Sequence, residues 1–175
     1  MSVLAGPLAI AAVLLVAGGV AKLRAPLDTA RAMRGVGVGV SPGLVRIGAA
    51  VEVVVGVLAL LIGDAVVVAL VGVSYLAFTV FVVLALRADA PISSCGCFGK
   101  VDTPPSLVHV VLDAAVALMA GAVAIAGTDV SMPTVLPDQP LLGLPFVLLV
   151  VVGTGLVLLA FTSLPRALAA ARQAA

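Results

Sequence analysis

Residues 66–86 read VVVALVGVSYLAFTVFVVLAL, a run without one charged side chain. A helix needs about 20 residues to cross the hydrocarbon core of a bilayer, so this stretch takes the chain out of the soluble class. Its valines would suit a strand, but the apolar residues are continuous rather than alternating, which argues against a closed barrel. Helix is the remaining way to satisfy every backbone group in lipid. Working outward, stretches of the same kind lie near 3–21, 44–63, 106–127 and 141–162. Composition agrees, at 63% hydrophobic and 10% charged over 175 residues, far from the usage of a soluble domain. The sequence therefore predicts an all-α fold: a polytopic membrane helical bundle of about five transmembrane helices, with residues 1–175 as a single membrane domain. Its surroundings are a lipid bilayer, and its expected place is the cell (cytoplasmic) membrane, crossed several times.

The first span has no positive residue ahead of its apolar core, and Lys22 and Arg24 follow it. That order predicts a retained helix with its N-terminus outside rather than a cleaved signal peptide. Lys22, Arg24, Arg31, Arg34 and Arg46 fall at or between spans one and two. Arg87 and Lys100 lie between spans three and four, and Arg166 and Arg172 after span five. With five spans these regions share one side, which the positive-inside rule makes cytoplasmic, together with the C-terminus. The opposite loops carry only Asp64, Asp129 and Asp138. A net charge of +1 with no basic tail gives no ground for a nucleic-acid partner.

Three connections have local character. Residues 26–34 hold Arg31 and Arg34 three apart among small apolar residues, which predicts a short helix at headgroup level, followed by a flexible stretch with Gly35, Gly37 and Gly39. Only Gly63-Asp64-Ala65 separates spans two and three, so these are predicted to be antiparallel neighbours. Residues 128–140 contain Pro133, Pro137 and Pro140 and are expected to form an extended, irregular loop. Glycines at 56, 72, 121, 153 and 155 are candidates for close helix contacts.

The chain has two cysteines, both in Ser93-Ser94-Cys95-Gly96-Cys97-Phe98-Gly99. Thiols one residue apart can be joined, opened or metallated, so the pair points to redox or soft-metal chemistry. A disulfide across Cys-Gly-Cys closes a small ring under strain, which favours exchange over a structural staple. Four-coordinate zinc would need further ligands, and only His109 is near in sequence. The charge pattern puts the pair on the cytoplasmic side. Residues 90–94 and 98–99 are uncharged, so the segment is also compatible with a shallow re-entrant turn shielded by protein.

Polar residues inside the spans are few. His109 and Asp113 stand four apart on one helix face, just after the cysteine segment. There a carboxylate can orient an imidazole, which in turn stabilises a thiolate or passes a proton. The alternative is a structural pair tying that helix to its neighbours. Glu52 is an ionisable group deep in an apolar helix and must face a partner or a cavity. Counted from the helix ends, Glu52, Asp113 and Thr79 reach similar depths and are expected to form one polar layer. Two carboxylates at one depth require protonation or a cation, which Lys22 or Arg46 can supply by snorkelling.

Three pieces of sequence resemble the MauE branch of the DoxX-like membrane proteins. They are Gly18-Gly19-Val20-Ala21-Lys22-Leu23-Arg24, a second span carrying Glu52 and, most specifically, Ser94-Cys95-Gly96-Cys97-Phe98-Gly99. The likeness runs through roughly the first four spans. The family takes its name from methylamine utilisation. The resemblance implies a part in maturing the disulfide-rich subunit of methylamine dehydrogenase, beside a membrane-tethered thioredoxin-like protein. It implies Cys95 and Cys97 as the exchanging pair and a separate thioredoxin-like partner; nothing in the chain marks an amine substrate. The expected function is thus that of a thiol-disulfide redox protein passing electrons to a membrane acceptor such as quinone. His109, Asp113 and Glu52 are the candidates for handling its protons. A copper or zinc carrier using the same cysteines, and a non-catalytic assembly subunit of a redox complex, are the alternatives.

Overall fold

The computed structural model describes residues 3–88, 105–137, 139–164 and 167. Five long helices account for the predicted spans: α1 (Ala5–Arg24), α3 (Pro42–Leu61), α4 (Ala65–Arg87), α5 (Leu107–Ala126) and α7 (Leu144–Thr162). Each is long and apolar enough to cross a membrane, and the predicted ends agree within three residues throughout. No strand occurs among the described residues.

Local chemistry starts and stops the elements. Ser41 caps α3 by accepting from the Leu44 N–H at 3.2 Å, with Pro42 at the first helical position, where a missing N–H costs nothing. The short helix α2 (Pro26–Gly35) forms where expected. Its outward stripe is Leu27, Arg31 and Arg34, while Pro26 and Ala30 are buried. Between α3 and α4, Gly63 takes a left-handed conformation at φ +56°, and Asp64 caps α4 by accepting from the Val67 N–H at 2.9 Å.

α1 is the most buried span and α7 the least. The closest pairings are α1 with α3 and α4 with α5. Although three residues join α3 to α4, these two touch only lightly, so the short link sets their adjacency without making them the tightest pair. Glycine explains the α1–α3 approach. A methyl group added at Gly19 would lie 2.7 Å from the Ala49 carbonyl oxygen, and one at Gly56 would lie 2.8 Å from the Ala12 carbonyl oxygen. The two contacts run in opposite senses along the helices, so α1 and α3 are antiparallel. Gly6 faces Phe146 and Leu149, and Gly153 faces Ile10, so α1 and α7 run parallel, as the first and fifth of five alternating spans must. Gly72 similarly meets Ala120 and Ala117 of α5, whereas Gly121 and Gly155 face open space. Lipid offers no hydrophobic drive between helices, which makes such close backbone packing a principal source of association.

The segment expected to be an extended loop is instead partly helical. Residues Met132–Val135 form a single turn, α6, and Pro140–Gly143 a 3-10 turn before α7. Val130 and Ser131 are buried, and the Val130 N–H donates to the Gly63 carbonyl at 3.3 Å. Side chains at Gly63 would run into the Ser131 backbone. Pro133 and Pro140 are compatible with this because each lies at the opening positions of its helical turn, and Pro137 falls between the two turns.

Among the described residues all six lysines and arginines lie at the end of the bundle where α1 and α4 finish and α3 and α5 begin; Asp64 and Asp129 lie at the other end.

Candidate functional site

At the basic end all five spanning helices contribute to one small cavity. It is lined by Leu14, Leu15, Gly18 and Lys22 of α1, Glu52 of α3, Tyr75 and Phe78 of α4, His109 and Asp113 of α5, and Phe161 of α7. Its volume of about 30 Å³ is room for roughly two water molecules.

Lys22 sits in the last turn of α1 and turns inward. Its Nζ donates to both Glu52 oxygens, at 2.7 Å each, with the two side chains 8% and 15% exposed. An ammonium so removed from water is tolerable only with a partner of opposite charge. The C-terminal end of α1 adds a favourable dipole, and the Phe78 ring, its centroid 4.2 Å from Nζ, adds a cation–π contact. Of the two cations expected to reach the layer, Lys22 does so, and Arg46 stays exposed on α3.

His109 and Asp113 are both buried and face the cavity one helical turn apart, as the spacing predicted. His109 Nδ1 shares a 2.8 Å hydrogen bond with the hydroxyl of Ser106, the residue before α5, and the imidazole packs at a tilt on Phe161 with 5.1 Å between ring centroids. These contacts fix the ring at the first turn of α5. Glu52 and Asp113 thus share one polar layer. Thr79 does not line it; its hydroxyl donates to the Tyr75 carbonyl of its own helix at 2.9 Å.

Tyr75, absent from the sequence-based candidates, ties the layer together. Its hydroxyl donates to the Ala11 carbonyl of α1 at 2.8 Å, and its ring meets Phe78 edge-on at 5.7 Å. Residue scarcity was a usable signal: the chain has six aromatic residues, and Tyr75, Phe78 and Phe161 all face this cavity.

Cys95 and Cys97, with the proposed re-entrant turn around them, lie outside the described residues, as do Lys100, Asp138, Arg166 and Arg172. The cysteine segment is nevertheless bounded by described ends, because it connects Ala88 after α4 to Pro105 before α5. Among the described residues no three His, Cys, Asp or Glu side chains are grouped to hold a metal ion.

No curated protein and no solved structure matches the chain. The family described as "Methylamine utilisation protein MauE" matches residues 1–127, which takes in the first four spanning helices and every polar group of the cavity. With five membrane-spanning helices and a match over well more than half of its length, the chain belongs to the MauE family of multi-pass membrane proteins.

Proposed function

We propose that this chain is a membrane thiol-disulfide redox protein in which Cys95 and Cys97 cycle between dithiol and disulfide. Oxidation of the pair forms one S–S bond and releases two electrons and two protons. A quinone in the bilayer accepts them and leaves as the hydroquinone. Thiol-disulfide exchange with a thioredoxin-like partner regenerates the dithiol, and the partner departs as a disulfide able to oxidise or mature a client. In the setting that gives the family its name, the client would belong to methylamine metabolism.

One observation supports this reading above the others. The connection bearing the cysteines leaves α4 and enters α5 at the end of the bundle where His109, Asp113, Lys22 and Glu52 surround a cavity large enough for water. Redox chemistry of a dithiol needs proton acceptors near the thiols and a path by which protons leave, and an imidazole in the first turn of α5 beside a carboxylate supplies both. The cavity admits water but no quinone ring, so quinone meets the cysteines outside it. By the positive-inside rule we assign the basic end, and with it the cysteine segment and the C-terminus, to the cytoplasmic side of the cell membrane.

Alkylation of free thiols in membranes poised oxidising or reducing tests the reading. Cys95 and Cys97 are expected to switch together between labelled and protected states, and Cys95→Ser to trap a mixed disulfide or abolish partner oxidation. Cysteines that never change state, with partner oxidation intact in Cys95→Ser, would rule the redox function out.

A further inference from the structure

Among the described cations of the basic end, Lys22 turns inward and the arginines stay outside. Arg24 ends α1, Arg31 and Arg34 lie on the outward stripe of α2, and Arg46 stands in the second turn of α3, all four exposed. α2 packs on both α1 and α3, so these guanidinium groups belong to one corner of the bundle. Glu52 and Asp113 face the cavity, which leaves Asp28 as the acidic side chain of this corner among the described residues. Arg31 reaches Asp28 at 3.3 Å, and Arg34 Nε donates to the Ala30 carbonyl of its own helix at 3.4 Å. Exposed contacts of this kind hold a side chain weakly. Four guanidinium groups against one carboxylate leave the corner with a clear positive excess.

Because α1 and α3 are membrane-spanning helices, their shared end stands at headgroup depth. An apolar track starts there. On α3, Ala50, Val54 and Val57 follow Arg46 at four, eight and eleven positions, the spacing of one helix face, and each is exposed. On α2, the exposed Leu27 lies one turn from Arg31. Guanidinium groups at the head of an apolar stripe match a molecule with an anionic head and apolar chains; an acidic protein surface matches the charge alone.

We propose that the α1–α2–α3 corner is a binding site for an anionic phospholipid. Arg31 and Arg34 of α2, with Arg24 and Arg46, hold its phosphodiester, for which the planar fork of arginine is suited. Its acyl chains lie along the exposed stripe of α3. Occupied, the site fixes α2 on the membrane surface and links it to α3 through a shared headgroup. The proposal is independent of the redox reading.

Native mass spectrometry of the full chain in mixed micelles, titrated with phosphatidylglycerol or phosphatidylcholine, counts the lipid retained. The wild type is expected to hold its first phosphatidylglycerol tighter than phosphatidylcholine by about tenfold or more. Arg31→Gln/Arg34→Gln should weaken it by about fivefold for each arginine, while Arg87→Gln, the same kind of charge change on α4, should stay within about twofold of wild type. Glycerophosphoglycerol, the same headgroup without chains, should not compete at equal concentration. Equal retention of the two lipids, or equal losses in Arg87→Gln and the α2 double variant, overturns the proposal. Competition by the chain-free headgroup would assign the corner to a free phosphodiester, and an acidic protein retained there without lipid preference would assign it to a protein; either result also overturns it.

Discussion

Lys22 Nζ stands 2.7 Å from both carboxylate oxygens of Glu52, joining the end of α1 to the middle of α3 across thirty positions of sequence. Breaking such a pair on one side leaves a charge without its partner where water is scarce. Lys22→Met and Glu52→Gln are each expected to cost about 3–5 kcal/mol, and the double variant much less than their sum. Unfolding in mixed micelles, analysed as a double-mutant cycle, measures the coupling; additive losses would show that the pair contributes nothing as a pair.

His109 is held by Ser106 and Phe161 at the start of α5. If it moves protons for the dithiol, His109→Gln should slow exchange with a thioredoxin-like partner by about 10²- to 10⁴-fold, with stability little changed. Ser106→Ala should have a much smaller effect, through loss of ring orientation only. Stopped-flow measurement of partner oxidation separates the two, and equal small effects would remove His109 from the chemistry.

The α1–α3 seam depends on bare backbone. Gly19→Leu and Gly56→Leu place carbon atoms where the opposing helix already stands, and overpacking of this kind costs about 1–3 kcal/mol. Gly155→Leu, whose added atoms point into open space, is expected to be neutral. Thermal stability in detergent compares the three variants directly.

Tyr75→Phe removes the hydrogen bond from α4 to the Ala11 carbonyl. Interhelical bonds of this type contribute about 0.6–1.7 kcal/mol in membranes, so the loss should fall in that range while the α1–α3 pairing persists. Hydrogen exchange at α1 amides is the appropriate probe.

At the opposite end, Asp129 accepts from the Ser131 N–H at 2.8 Å and from the Thr134 hydroxyl at 3.2 Å. Chiefly the first of these holds its carboxyl below the usual carboxylate value. A group lowered in the folded state contributes stability that is fully present above its unfolded value and fades as pH falls through the folded one. The 128–135 segment should therefore become more susceptible to protease as pH falls below the usual carboxylate range, and Asp129→Ala should lack that acid step.

The number of spans, their ends and the side on which positive charge collects were legible in the sequence, because each depends on residues one at a time: how well a side chain dissolves in lipid, and where a charge stops a helix. The i, i+4 placement of His109 and Asp113 on one face was likewise local. Which faces meet was not legible. Helices such as α4 and α7 are apolar around their whole circumference, so no periodicity marks an inward side, and rotation and pairing follow from where glycine and alanine let backbones approach. Tertiary structure alone chose Lys22 over Arg46 as the partner of Glu52, brought Tyr75, Phe78 and Phe161 to the same cavity, turned Thr79 away, and folded the proline-rich outer segment onto Gly63. Each of these is a relation between residues on different helices, decided by packing in three dimensions rather than by the chemistry of any single stretch.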